Sequence, residues 1–540
     1  MSKHRVWAAS AAVAALAFAS AAQAQANDPL VQVLVQKGVI SAQDAAGVTT
    51  RDQLVKLLVA KGVISPTDAT NIAQAEPTML SNAEVPPNRA PVYFHTDHPT
   101  EFSIGNVDLT VGGFLDAEMI ARSTNTGNVA STNFGSIPFT NQIQGHSGED
   151  RITGQMSRVS LRADTDFMIA GRPAHAYGYV EGDFNGNDAA NVFVESNSHG
   201  ARLRLAYLDV TTGQWEFLAG QAWTLLTPNR TGATPDPSSL FLTQNYDSNY
   251  SVGMPWGRIG QARVTYHPTA NLAIALAVQD ADPYIGAGEV TFPAGQNAQL
   301  GIQFDAANQS TTGNLFPDIV AKVAYDGSAE QMPFHLEATG IVSQFRSVTL
   351  PTAGAVGFGT HMTTGWGAGI NGNFKVTPQF TLFADTFYGQ GEGRYLGGLG
   401  PDVVTPVAPF GAGFDSSLST VSGYGLLGGA EFQVSPRALL AAYYGFDHFD
   451  RNTFVDLSSL AATKPFIGFG GLNSSNADNK DLSELSVDGN FKFWSSPTDG
   501  TLVAGFQYSY VMRHQWFVPL GAPSEANTNM FFVDLRYILP

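Results

Sequence analysis

The chain contains no cysteine, so no disulfide framework and no thiolate metal site can be built from it. Nor does it hold a run of the roughly 20 apolar residues that a membrane-spanning helix needs. Charged residues are scarce at 14%, and bases are scarcer than acids, 28 Lys and Arg against 46 Asp and Glu. The formal charge of −18 becomes −20 once Lys3 and Arg5 are removed, which argues against nucleic acid as a partner. No Gly-x-Ser-x-Gly elbow, phosphate loop or His-Glu-x-x-His occurs, so nothing supports an enzyme. His95, Asp97 and His98 stand together in a proline-rich stretch without a second ligand cluster, and no metal or other cofactor is expected.

What is present is aromatic residues at 11%, 56 glycines, and a hydropathy near zero over 540 residues. That combination fits a wall whose lipid-facing and water-facing side chains alternate and cancel in the average. Residues 1–24 read as a secretory signal peptide: Lys3 and Arg5, an apolar stretch from Ala8 to Ala19, then Ala22-Gln23-Ala24 as the cleavage site. Residues 25–74 form a duplicated module. Leu30 to Ser41 recurs 24 residues later as Leu54 to Ser65, each copy an amphipathic helix stopped by Gly38 or Gly62. A new helix begins at Ser41 or Ser65, with Asp44 or Asp68 three residues on. The module serves either envelope contacts and self-association or simply spacing. Residues 75–100, with five prolines, are a linker.

From 101 to 540 short turns and long polar segments alternate. Seven turns, near 170–175, 211–214, 267–271, 326–333, 375–379, 434–437 and 495–500, are rich in Pro, Gly, Asn, Asp or Ser. Eight long loops separate the hairpins, and fifteen connections make sixteen strands. The even count puts both barrel ends on the short-turn side. Alternation is clearest at 157–167, 334–343, 484–493 and in the final strand 529–539, where Phe531, Val533, Leu535 and Tyr537 oppose Phe532, Asp534, Arg536 and Ile538. Segments 270–280 and 437–449 are apolar on both faces, as where a wall meets an inward loop or another subunit. The expected fold is all-β: a 16-stranded antiparallel transmembrane β-barrel in the outer membrane of a Gram-negative cell, bearing a small helical N-terminal extension in the periplasm.

The side chains that face water inside such a wall are the candidate pore-lining groups. Arg158, Arg162, Arg202, Arg204 and Arg263 fall on lumen faces, and the strand between the first two pairs contributes Tyr177, Tyr179, Glu181 and Asp183. Acids at Glu337, Asp385, Glu431, Glu484 and Asp488 come from the far half, so a basic side faces an acidic side and selects solutes by charge. The same groups serve equally as neutralising partners, with Arg162 and Glu181 the obvious pair. The third long loop, about 224–258, is dense in aromatics and is expected to narrow the pore opposite the arginines.

The run from Glu149 to Trp223 resembles the DcaP-like outer-membrane porins. It does so in Glu149-Asp150-Arg151, Ser157-Arg158-Val159-Ser160-Leu161, Val180 to Gly186, Arg202 to Leu208, and Leu218 to Trp223. The resemblance implies a homotrimeric sixteen-stranded channel with a helical extension, surrounded by outer-membrane lipid, that admits small, often anionic, organic solutes. A passive diffusion channel is therefore the reading. A substrate-specific porin with a lumen binding site, and a barrel serving mainly adhesion or envelope tethering, are its rivals. Residues 25–100 are too few to plug a large barrel as in active transporters.

Overall fold

The computed structural model describes residues 41–45, 56–57, 59–61, 92–94 and 99–540, leaving out 128, 187–197, 237–244, 287, 294–299, 301–302, 305–313, 350–358, 407–416, 473 and 476. The signal peptide, most of the duplicated module and most of the linker lie outside the described residues, as do His95, Asp97 and His98. The chain divides into two compact units at Arg89 and Ala90.

In the first unit a helix spans Ala42–Ala45. The Asp44 carboxylate accepts hydrogen bonds from the Ser41 amide at 3.1 Å and its hydroxyl at 2.6 Å, and the Asp44 amide donates to Ser41 Oγ at 3.1 Å. Two free donors at a helix start are thereby satisfied. Lys61, from the second copy of the repeat, pairs with the same carboxylate at 2.9 Å.

The second unit is a closed barrel of sixteen antiparallel strands. In chain order they are β1 (Val107–Arg122), β2 (Arg158–Ile169), β3 (Arg172–Asp183), β4 (Arg202–Thr212), β5 (Trp215–Trp223), β6 (Arg258–Thr269), β7 (Leu272–Gln279) and β8 (Asp318–Ala329). Then come β9 (Met332–Thr349), β10 (Gly359–Thr377), β11 (Phe380–Gln390), β12 (Ser422–Ser435), β13 (Ala438–Phe449), β14 (Asn479–Ser496), β15 (Gly500–Gln515) and β16 (Glu525–Ile538). Each pairs with its sequence neighbours, and β16 closes on β1 through the register Met530↔Arg122 to Ile538↔Phe114. Closure removes both edges, so every strand has two partners. A short strand, Glu149–Thr153, continues the β2 position along β1, and Val92–Phe94 pairs with Glu101–Ile104 ahead of β1. All fifteen connections fall where the turn and loop signals place them. The long loops are L1 (123–148), L2 (184–201), L3 (224–257), L4 (280–317), L6 (391–421), L7 (450–478) and L8 (516–524), while the fifth connection, 350–358, lies outside the described residues.

Alternation decides which side of the wall each residue covers. On β16, Phe531, Val533 and Leu535 are exposed on the outside, whereas Met530, Phe532 and Asp534 are buried inside. β9 behaves likewise, with Leu336 and Val342 outside and His335, Glu337 and Ser343 inside. β7 carries Ile274, Leu276 and Val278 outward, and its inner face is alanine: Ala273, Ala275 and Ala277 join one buried apolar cluster with Leu225, Leu226 and Ala233 of L3. That strand is apolar on both faces because an inward loop lies against it.

Outward aromatic pairs form two girdles, as barrels carry at the two membrane–water interfaces. Trp215–Tyr266 at 4.6 Å and Trp494–Tyr537 at 6.3 Å lie toward the short turns, and Trp366–Tyr388 at 5.6 Å lies toward the long loops. The final residue is tied down too, since Thr100 Oγ1 donates to the Pro540 carbonyl at 3.1 Å.

The β8–β9 turn has only Glu330 and Gln331 between its strands, with φ of 50° and 68°. Such a turn needs left-handed backbone at both positions, which Asn and Gly adopt at least cost. Replacing Glu330→Asn together with Gln331→Gly should stabilise the barrel by about 1 kcal/mol, read as a higher denaturant midpoint for the loss of the compact band on unheated gels.

Candidate functional site

A β-bulge between β3 and β4 builds the arginine cluster. Glu181 pairs with Leu205 and Gly182 with Leu203, leaving Arg204 as the extra residue. The bulge shifts the alternation of β4. Leu203 points out, Arg204 and Leu205 both point in, and beyond them Tyr207 and Asp209 face inward while Leu208 faces out. Unbroken alternation would have put Tyr207 and Asp209 in lipid.

Arg204 thereby reaches both acids of β3. Its Nε donates to Glu181 Oε1 at 2.7 Å and its Nη1 to Asp183 Oδ2 at 3.0 Å. Arg202 grips Asp183 at 2.9 and 2.7 Å, a bidentate pairing that fixes both planes. Arg158 lies 3.6 Å from Glu181, and Tyr179 donates to the other oxygen of Glu181 at 2.9 Å.

The structure corrects the expected partner of Arg162. Its guanidinium pairs with Asp164 on its own strand at 2.9 Å and covers the Tyr177 ring at 3.8 Å. Arg162 stands opposite Tyr179 in the β2–β3 register, so Glu181 lies one step further on, where the bulge supplies Arg204 instead. Arg263 belongs to a second group nearer the short turns, 3.9 Å from Glu216. Tyr177, Tyr179 and Tyr207 form a ladder down the same wall, with ring centres 5.9 and 5.6 Å apart.

Arg258 joins the cluster although parity at the start of β6 points it outward. At the rim it turns inward and stacks over Trp223 at 5.5 Å and Trp256 at 5.8 Å. Only the two tryptophans, from β5 and L3, could have signalled this, and their meeting is tertiary.

L3 folds inside the barrel. Its outgoing limb is held by Lys322, whose Nζ donates to the Thr227 carbonyl at 2.9 Å and to Asn229 Oδ1 at 2.8 Å. Arg230 crosses to Glu431 on β12 at 2.6 Å, and the Gly232 amide reaches Asp326 at 2.9 Å. On the return limb the Tyr246 amide donates to Gln507 at 2.5 Å, Val252 to Glu484 at 3.0 Å, and Gly253 to Asp447 at 2.9 Å. Thr132 of L1 bonds Asp247 at 3.1 Å.

These contacts change the picture of two charged walls facing each other across water. Glu337, Glu431 and Glu484 receive amides or cations of L3 or its anchors, so the loop stands between them and the arginines. Asp385 and Asp488 are buried in the same half. The return limb of L3 then lies against the arginines: Arg204 Nη2 donates to Tyr250 Oη at 3.2 Å. Burial alone would raise the Tyr250 phenol, but Arg204, Arg258 and Arg158 together hold it below its ordinary value. A phenol lowered in spite of its burial marks a positive potential at this point.

Toward the long loops, apolar groups of L1 (Phe134, Phe139), L4 (Ile285, Phe304) and L6 (Leu396, Leu399) share one buried cluster with the tops of the strands. Arg394 of L6 binds it to the wall, pairing with Asp318 of β8 and, at 2.8 Å, with Asp402.

No protein-family model matches the sequence, and no curated protein matches it. Among solved structures, the outer-membrane channel DcaP of Acinetobacter baumannii superposes with a TM-score of 0.54 at 18% identity, over 81% of this chain and 99% of that one. The chain has the outer-membrane porin fold. An anion-selective porin from Comamonas acidovorans (TM-score 0.42, 10% identity, 80% of this chain and 100% of that one) and Pseudomonas putida OprB (0.40, 10%, 79% and 94%) are also similar. Within this porin fold L3 is seated so closely that a Cβ on Gly445 would come within 1.8 Å of the Val252 carbonyl oxygen. Gly445→Val should therefore lift the return limb of L3 off β13 and raise single-channel conductance in planar bilayers. An unchanged conductance from folded protein would show that L3 does not set the bore.

Proposed function

We propose that the protein is a passive outer-membrane diffusion channel for small hydrophilic solutes that favours anions, with Arg158, Arg162, Arg202, Arg204 and Arg263 lining its pore beside Tyr177, Tyr179, Glu181 and Asp183. One observation carries the reading. Among the described residues, Arg158, Arg202, Arg204 and Arg258 gather around the two carboxylates of Glu181 and Asp183, four positive charges against two negative, where Tyr250 of L3 reaches the cluster. Among the described residues, buried nitrogens of Arg158 (Nε) and Arg258 (Nη1) make no hydrogen bond, which supports an excess of positive charge here. In a narrow low-dielectric passage such charges raise the local anion concentration. No chemical step is involved, and no cofactor is required.

A homotrimer is part of this reading. The outward faces of β1 to β4 carry Leu115, Met119, Val159, Leu161, Val180, Leu203 and Leu208 but no Trp or Tyr, whereas the rest of the wall is belted with them. Trp and Tyr mark where a barrel meets the membrane interface, so their absence from one sector supports a protein neighbour there. The β1–β4 sector is then the contact between protomers, and outer-membrane lipid surrounds the remainder.

The decisive measurement is the reversal potential of the purified channel in a potassium chloride gradient. Anion preference is expected despite the acidic chain, and Arg158→Gln with Arg258→Gln should shift the reversal potential toward zero. Cation preference in the unaltered protein would overturn the reading. For the assembly, Leu161→Trp should dissociate the trimer on native gels, whereas Leu382→Trp on the opposite wall should leave it intact.

A further inference from the structure

On the short-turn side of L3 lies a cavity of about 350 Å3, bordered by β1, β2, β14, β15, β16 and the return limb of the loop. Its size is at the lower end of the roughly 300–1,000 Å3 of small-molecule sites. Its wall carries charges of both signs. Arg158 and Lys492 supply cations, Asp247 and Asp534 supply carboxylates, and Arg536 is already shared between Asp116 at 2.8 Å and Asp534 Oδ2 at 3.2 Å, which leaves Asp534 Oδ1 over. Phe114 lies between two guanidiniums, Arg158 at 5.1 Å and Arg536 at 4.2 Å, and so holds the basic groups in place.

The polar groups are unevenly satisfied, and the deficit has two signs. Arg158 Nε is a buried donor that makes no hydrogen bond among the described residues, Glu181 Oε1 standing 3.6 Å away. Asp247 Oδ2 and Asp534 Oδ1 are buried acceptors without a protein donor, on residues only 1% exposed. The other Asp247 oxygen is occupied by the Thr132 and Asn249 amides, so the loop's own needs are met and Oδ2 is left over. Burial raises the Asp247 carboxyl above its ordinary range although Arg122 and the amides on Oδ1 pull the other way, and an incoming ammonium group would add a donor and a positive charge at Oδ2. An anion alone would leave Asp247 Oδ2 and Asp534 Oδ1 without a donor; a cation alone would leave Arg158 Nε without an acceptor. Buried polar atoms left unpaired are costly, so the complementary ligand carries a carboxylate and an ammonium on one small frame.

We infer that this cavity is a binding site for small zwitterionic solutes of the α-amino-acid type, with the carboxylate toward Arg158 and Lys492 and the ammonium toward Asp247 and Asp534. The inference rests on the channel reading, since it names a solute class for the same lumen. Its test does not require conduction. Saturation-transfer NMR on the purified protein in deuterated detergent, with glycine, acetate and methylammonium as matched probes, should show transfer to glycine and little to the other two.

Asp247→Asn and Asp534→Asn should each weaken glycine binding by about tenfold through loss of a charged partner. Both keep a carbonyl oxygen at the position, and the heat-modifiable gel shift checks that each has folded. If either fails to fold, Arg158→Gln reads the same site from the carboxylate side. Equal transfer to acetate would reduce the site to an anion site, and absent transfer to glycine would remove it; both overturn the inference. In bilayers, glycine should interrupt the current transiently. Folded protein that binds glycine but passes no current would overturn the channel reading and leave the site standing.

Discussion

A loop folded into a closed barrel carries its backbone amides away from bulk water, and each must find an acceptor. That requirement organises the interior. Every wall acceptor met by L3 sits on an inward position of its strand: Glu337 takes the Asn229 amide, Asp326 that of Gly232, Glu484 that of Val252 and Asp447 that of Gly253. The acids of the far wall are thus bound up with holding a strap across the lumen. Gly445, which leaves room for the Val252 carbonyl, is the steric counterpart of the same constraint.

The arginines of the near wall follow from a different device. A single extra residue in β4 turns Arg204 and Leu205 to the same side and lets one guanidinium bridge Glu181 and Asp183. A bulge sacrifices a ladder position to re-aim a side chain. Here it also brings Tyr207 and Asp209 into the lumen, completing the tyrosine ladder. The strap and the bulge meet at Tyr250, where L3 touches Arg204. An inward loop and a bulged strand, far apart in sequence, therefore meet at one place in the lumen.

Much of the fold was legible because a membrane barrel has few degrees of freedom. Strand alternation, two-residue turns and long polar loops recur with a fixed parity, and closure of β16 on β1 follows from an even count. The dual apolar character of residues 272–279 was also a readable sign of an inward loop, since only alanines could lie beneath one. Less of the site was legible. Arg162 stood one register step from Glu181 and was matched to it, because the bulge that delivers Arg204 has no mark in the local sequence. Arg258 broke parity at a strand end, drawn inward by Trp223 and Trp256.

By itself the sequence determined the number of strands, the face each residue covers along regular stretches, and which loops are long, because period-two patterning and turn chemistry are local. Tertiary structure alone decided which charges meet. Pairing depends on register, on a bulge of one residue, and on where a loop of more than thirty residues comes to rest inside the barrel. A slip of one position reverses a side chain's face, so composition could list the arginines and acids of this lumen, and only the folded barrel could say which remained unpaired.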